Sequence, residues 1–209
     1  MRLVVLSESP EDEAAVRILV DGILGIQTEH VAPPFLRTRG WSPLLGVLPA
    51  ILKHLHYHSD ADALVVIVDS DDSTPHLLAH VPRDGATQGC RLCGLRLVAD
   101  EVQNNLTAVP NRTLLKSAFG LAVPALEAWL LCGLDPRAIE ATLIQRPDAS
   151  TRALRIQLKQ NLYGTDRPSS EGRMRRTTEE ARRLVQILDE FERCFPDGFG
   201  SFARDIRNW

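Results

Sequence analysis

Three carboxylates carry the first chemical signal in this chain. Glu8 follows the apolar run RLVVL at residues 2–6, and Asp69 and Asp71 follow ALVVIV at residues 63–68. Acids gathered in one place repel one another unless a cation sits between them. Hard divalent cations such as Mg²⁺ prefer carboxylate oxygen, and one ion takes one or two protein carboxylates with waters and a substrate phosphate. Side chains alternate along an extended segment, so Asp69 and Asp71 point to the same side and both reach one metal, while Asp72 points away or lies in the turn. Asp12 lies four residues after Glu8 and joins them if the turn is tight. Glu11 and Glu13 fall in the first turn of the next helix, where an acid gains from the helix dipole whatever else it does. Metal pairs held by such carboxylates serve in-line phosphoryl displacement, one activating the attacking oxygen and the other stabilising the leaving one. The competing reading of Asp69, Asp71 and Asp72 is an Asx-rich turn that ends a strand.

The elements needed to position these acids are legible. RLVVL reads as a buried strand, and SPEDEAAVRILVDGIL as a helix with Ser and Pro at its start and acids in its first turn. Residues 43–57 look helical despite Pro49, and they lead into the strand ALVVIVDS. His76 to Val81 could start a helix, whereas PRDGATQGC reads as loop, and LRLVA and LLKSAFGLAV read as strands. Pro124 opens a helix, ALEAWLLCGL, closed by Gly133, and the remainder is mostly helix with breaks at GTDRPSSEGR and FPDGFG. Alternating strands and helices predict an α/β fold, a mostly parallel central sheet flanked by helices with a helical C-terminal extension. Residues 1–150 would form the α/β metal-binding domain and 151–209 a basic helical extension packed on it. Ligands of such sheets collect at the carboxyl ends of strands, which brings Glu8 and Asp69 to the same edge.

Composition narrows the function classes. The chain has 209 residues, 44% of them hydrophobic and 24% charged, with no apolar run long enough to span a bilayer. The start, MRLVVLSESPEDE, turns acidic after six residues and lacks the apolar core of a signal peptide, so a cytoplasmic location is expected. Residues 1–72 hold eleven acids against five bases, and residues 151–183 nine bases against four acids. One end could hold cations and the other meet phosphate. Among the basic residues, Arg173, Arg175 and Arg176 read as phosphate-backbone contacts without base specificity. Lys116, in the strand leading to Glu127, could approach the acidic site or lie at an edge.

Glu8, Asp69 and Asp71 together make the sequence resemble the toprim fold, the metal-binding α/β domain of topoisomerases, bacterial primases and small nucleases. Toprim domains carry a glutamate in a turn of the form E-G-x-x-D after the first strand, then an Asp-x-Asp after a later one. Here the motifs read Glu8-Ser9-Pro10-Glu11-Asp12 and Asp69-Ser70-Asp71, with Ser9 where the family usually has glycine. The chain is more closely similar to a bacterial toprim-like family of unknown function, often encoded beside an AAA-type ATPase of the overcoming-lysogenization-defect class. The likeness includes VPALEAWLL at residues 123–131 and a Cys-Pro-Ser-Phe-like motif echoed by Cys194, Phe195, Pro196, Asp197 and Phe199. The resemblance implies an Mg²⁺- or Mn²⁺-dependent nuclease, with Glu8, Asp12, Asp69 and Asp71 as metal ligands and Glu8 and Glu127 catalytic. Water would be the nucleophile, activated by metal or by Glu8 acting as base. It also implies nucleic acid and an AAA-type ATPase as partners, no membrane, and a role in antiphage defence, with an oligomer compatible. Outside the resemblance, Glu127 reads as the exposed position of an amphipathic helix with Trp129 packing beneath it.

Two function classes therefore stand: a metal-dependent phosphodiesterase, and a non-catalytic toprim-like module that serves a partner ATPase. A phosphoryl transferase ranks below them, because SESPEDE is acidic where a phosphate-cradling loop would be glycine-rich. Cys90-Arg91-Leu92-Cys93 has the spacing of half a zinc site, with His80 ten residues earlier and Cys132 and Cys194 the remaining cysteines. A redox pair would be expected at a helix N-terminus, whereas this one is read in a loop. His54, His56 and His58 read as surface and helix-end residues.

Overall fold

The computed structural model describes residues 1–32, 41–76, 89–110, 112–144 and 151–209. Among these residues the chain forms a four-stranded, all-parallel sheet in the order β2-β1-β3-β4, from β1 (Arg2–Leu6), β2 (Glu29–His30), β3 (Ala63–Asp69) and β4 (Lys116–Ala122). Every residue of β3 is buried, as a central strand covered on both faces requires. Its register pairs Leu3 with Ala63 on one side and Ala63 through Asp69 with Lys116 through Ala122 on the other. The two-residue β2 escapes the sequence reading because a strand so short has no periodicity to detect.

Helices α1 (Pro10–Leu24), α2 (Trp41–His58) and α3 (Arg91–Gln103) supply the crossovers. Parallel crossovers are right-handed, so the leftward step from β1 to β2 puts α1 on one face, and the rightward steps put α2 and α3 together on the other. Ser9 caps α1 by accepting from Asp12 N at 3.2 Å, and Pro10 opens the helix. The φ of Ser9 is −143°, an extended conformation that needs no glycine. Residues 95–99, read as a strand from LRLVA, lie inside α3. Leu92, Leu95, Ala99 and Val102 are its buried stripe, with the three- and four-residue spacing of a helix. The Cys-x-x-Cys pair likewise opens this helix rather than lying in a loop, with Cys90 at the N-cap and Cys93 in the first turn. His56 is a further correction: only 1% exposed, it bonds through Nε2 to Thr107 O, while His54 and His58 stay exposed. The expected helix start at His76 to Val81 lies, apart from His76, outside the described residues, as does His80.

After β4 come α4 (Leu126–Leu130), α5 (Glu140–Ile144), α6 (Thr151–Tyr163), α7 (Ser170–Val185), α8 (Leu188–Cys194) and α9 (Phe199–Arg207). α7 lies along α1, where Gly22 lets Val185 close in, and α9 covers β4. Trp129 of α4 is fully buried and meets Phe191, Phe199 and Phe202 at ring separations of 5.9, 5.4 and 6.4 Å. It is a core residue and not a stacking platform. No helix among the described residues is long and apolar enough to cross a membrane.

Candidate functional site

The switch point of the sheet lies between β1 and β3, where the chain leaves β1 toward β2 and later returns to the other side. Open parallel sheets leave a crevice at such a point, at the carboxyl ends of their strands. Glu8 sits in the turn after β1, Asp12 in the first turn of α1, and Asp69 at the end of β3. Asp69 Oδ1 accepts from Leu126 N at 3.0 Å, capping α4 from a neighbouring strand because Ala125 offers no side-chain cap. That bond, with Trp129 anchored below, fixes Glu127 on the same side. Glu8, Asp12, Asp69 and Glu127 line one pocket of about 460 Å³.

Basic side chains share the lining. Arg155, Lys159 and Tyr163 recur at four-residue intervals on α6, and Arg173 projects from the start of α7. Arg155 Nη2 donates to Asp69 Oδ2 at 2.8 Å, Lys159 Nζ lies 3.9 Å from Glu127 Oε1, and Arg173 Nε donates to Glu11 Oε1 at 3.1 Å. These cations offset the acids only in part. Burial, reinforced by Glu8 and Glu127, holds the Asp69 carboxyl well above the usual carboxylate range. Burial pushes Asp12 up to about 7, with Glu127, Glu8 and Glu11 adding to it, and burial also raises Glu127. A divalent cation bound among them would favour the ionised form of each and lower these values.

Asp71 is placed differently. It has a positive φ of 46°, its N–H donates to Pro124 O at 3.1 Å, and it lines a neighbouring pocket of about 810 Å³ together with Trp41, Arg91 and Arg152. One of its carboxylate oxygens accepts from Arg155 Nη1 and the other from Arg91 Nη1, the latter at 2.9 Å. Asp69 and Asp71 both reach the guanidinium of Arg155, but not by strand alternation: β3 ends at Asp69, and Asp71 lies in the following turn with a left-handed φ. The structure therefore brings together Glu8, Asp12, Asp69 and Glu127 and leaves Asp71 outside their pocket.

Lys116 is the clearest correction. It opens β4 opposite Ala63, so the length of a seven-residue strand, roughly 20 Å, separates it from the carboxyl edge. Of the three arginines named for phosphate contact, Arg173 lines the pocket. Arg175 is exposed elsewhere on α7, and Arg176 is tied to Leu162 O and Glu180. Sequence reasoning had Arg155 and Lys159 only within a basic segment and gave Arg91 no role. The four-residue repeat Arg155, Lys159, Tyr163 was the available signal for a single helix face, whereas nothing local marks Arg91.

Among the described residues the acidic oxygens do not close into a set of three within 4.8 Å of one another. The set that does is His76, Cys90 and Cys93. Cys132 and Cys194 lie against each other instead, with burial and the Cys194 thiol pushing Cys132 up to about 12. Set beside known protein families, curated proteins and solved structures, the chain matches none.

Proposed function

We propose that this pocket binds a hydrated divalent cation, Mg²⁺ or Mn²⁺, and that the protein is a toprim-type nuclease hydrolysing phosphodiester bonds. One observation carries the reading. Four carboxylates from three separate stretches of chain line one pocket at the switch point of a parallel sheet, together with Arg155, Lys159 and Arg173. The donor set fits the ion, since all four groups offer hard oxygen and line a pocket of about 460 Å³, which has room for the waters and phosphate oxygens that Mg²⁺ retains. Glu8, Asp12, Asp69 and Glu127 would hold such an ion, which would supply polarisation of phosphate and a nucleophilic water. Lys159 and Arg173 meet the charge that develops on phosphate. Glu8, on the turn after β1, orients the attacking water or takes its proton, and Glu127 is held by α4 to assist. Asp69 keeps α4 in place while presenting its remaining lone pairs to the pocket. A cytoplasmic location, an AAA-type ATPase partner and a part in antiphage defence rest on the resemblance alone.

The non-catalytic reading draws on one observation of its own, the Arg155 guanidinium seated between Asp69 and Asp71. An arginine there neutralises the acids without metal. The two readings separate in one assay: single- and double-stranded DNA and RNA incubated with the protein in Mg²⁺ and in Mn²⁺, beside Asp69→Asn and Glu127→Gln. Metal-dependent cleavage that falls at least about 100-fold in both variants is expected for the nuclease. Absence of cleavage, with Mn²⁺ affinity the same in wild type and Asp69→Asn, leaves the interaction module.

A further inference from the structure

We propose a second metal site, distinct from the acidic pocket, in which His76, Cys90 and Cys93 hold one Zn²⁺. All three residues are buried, at 6, 3 and 4% exposure. His76 Nδ1 lies 3.7 Å from Cys90 Sγ and 3.5 Å from Cys93 Sγ. A tetrahedral zinc with Zn–S of about 2.3 Å and Zn–N of about 2.05 Å puts a nitrogen and a sulfur roughly 3.5 Å apart, close to both nitrogen–sulfur separations here, and all three ligand atoms lie within 4.8 Å of one another. Hydrogen bonding explains the arrangement less well. One imidazole nitrogen accepts a single thiol proton or donates a single N–H, and here two sulfurs converge on it.

Charge agrees with the geometry. Two thiolates and a neutral imidazole around Zn²⁺ make a unit with no net charge, which suits burial, whereas two buried thiolates alone would not. Ligand type agrees as well, because thiolate and imidazole select zinc over the hard cations suited to the acidic pocket. The Cys-x-x-Cys placement at a helix N-terminus is also that of a redox pair, in which a histidine would serve one exposed attacking thiol, whereas here both sulfurs are buried and both converge on the one imidazole nitrogen.

The site has work to do in the fold. Arg91 lies between the two cysteines, and its Nη1 donates to Asp69 O at 2.6 Å and to Asp71 Oδ2 at 2.9 Å. Zinc would clip the segment after β3 to the start of α3 and so hold Arg91 against the acidic edge. The ion is a brace for the neighbouring pocket and takes no part in its chemistry.

The test uses the full chain purified under reductant with Zn²⁺ supplied. About one Zn²⁺ per chain is expected to survive gel filtration, and Co²⁺ put in its place should give a thiolate-to-cobalt charge-transfer band in the near ultraviolet. His76→Ala and the double variant Cys90→Ser/Cys93→Ser should lose both signals, while Asp69→Asn should keep them. The cobalt spectrum is read on the wild-type chain, so a misfolded variant does not decide the outcome. Reduced wild-type protein that retains no metal, a Co²⁺ spectrum without a thiolate band, or a Cys90–Cys93 disulfide in metal-free protein would overturn the site.

Discussion

Arg155 ties together the ends of two elements. Its two terminal nitrogens reach Asp69 and Asp71 separately, a fork that only a planar guanidinium provides. Arg155→Ala leaves both acids facing each other, and because the arginine is 26% exposed the cost should fall between the surface and buried limits, about 2 kcal/mol in urea unfolding without metal. Arg155→Lys should recover little of it, since one ammonium cannot span both carboxylates. The individual acids were readable from the sequence because their signal is local: Glu8 and Asp69 each end an apolar run, and Ser9 and Pro10 announce the helix that carries Asp12. Arg155 and Arg91 were not readable as site residues. They come from helices far along the chain, and only the packing of α6 and α3 beside the strand ends gives them their role.

The same distinction holds for elements. β1, β3 and α1 announce themselves through burial runs and a cap, whereas a five-residue window at 95–99 looks like a strand until the stripe from Leu92 to Val102 is counted. β4 is readable from its apolar run, but its closure by α9 is not, because it depends on a contact remote in sequence. That contact is tight at Gly198. A Cβ there would fall within the van der Waals shell of Leu121 O and 2.7 Å from Glu140 Oε1, and the backbone carbonyl cannot move aside as a flexible side chain would. Gly198→Ala should cost about 1–3 kcal/mol by denaturant titration, although its φ of −82° is open to any residue. Phe199, next in sequence, stacks on Phe191 with ring centres 3.7 Å apart, so the strain would pass directly into the aromatic core.

For the whole molecule, a buried acid outside the pocket adds its own pH response to that of the raised pocket carboxyls. Glu140 is 2% exposed and accepts from Asp197 N at 2.8 Å. Burial pushes it up to about 7, with the nearby Asp197 adding to the rise. The folded state thus binds this proton more tightly than the unfolded chain, whose value is near 4.5. Its contribution is complete below about pH 4.5 and is lost as pH rises through about 7. Glu140→Gln, which keeps an acceptor for Asp197 N, should flatten that slope, and the gain over wild type at pH 8 relative to pH 4.5 should be on the order of 2–3 kcal/mol in chemical unfolding. The all-parallel sheet has a consequence in time as well as in energy. Among the described residues no strand has a hairpin neighbour, and partners such as Ala63 and Lys116 lie far apart in sequence, so folding must close long loops before these ladders reward them. On the ribosome, β4 emerges well before α9, and until Phe199 and Phe202 arrive to cover Trp129 the nascent chain carries an apolar sheet face open to water. A chaperone that binds exposed apolar strands would find its longest opportunity in that interval.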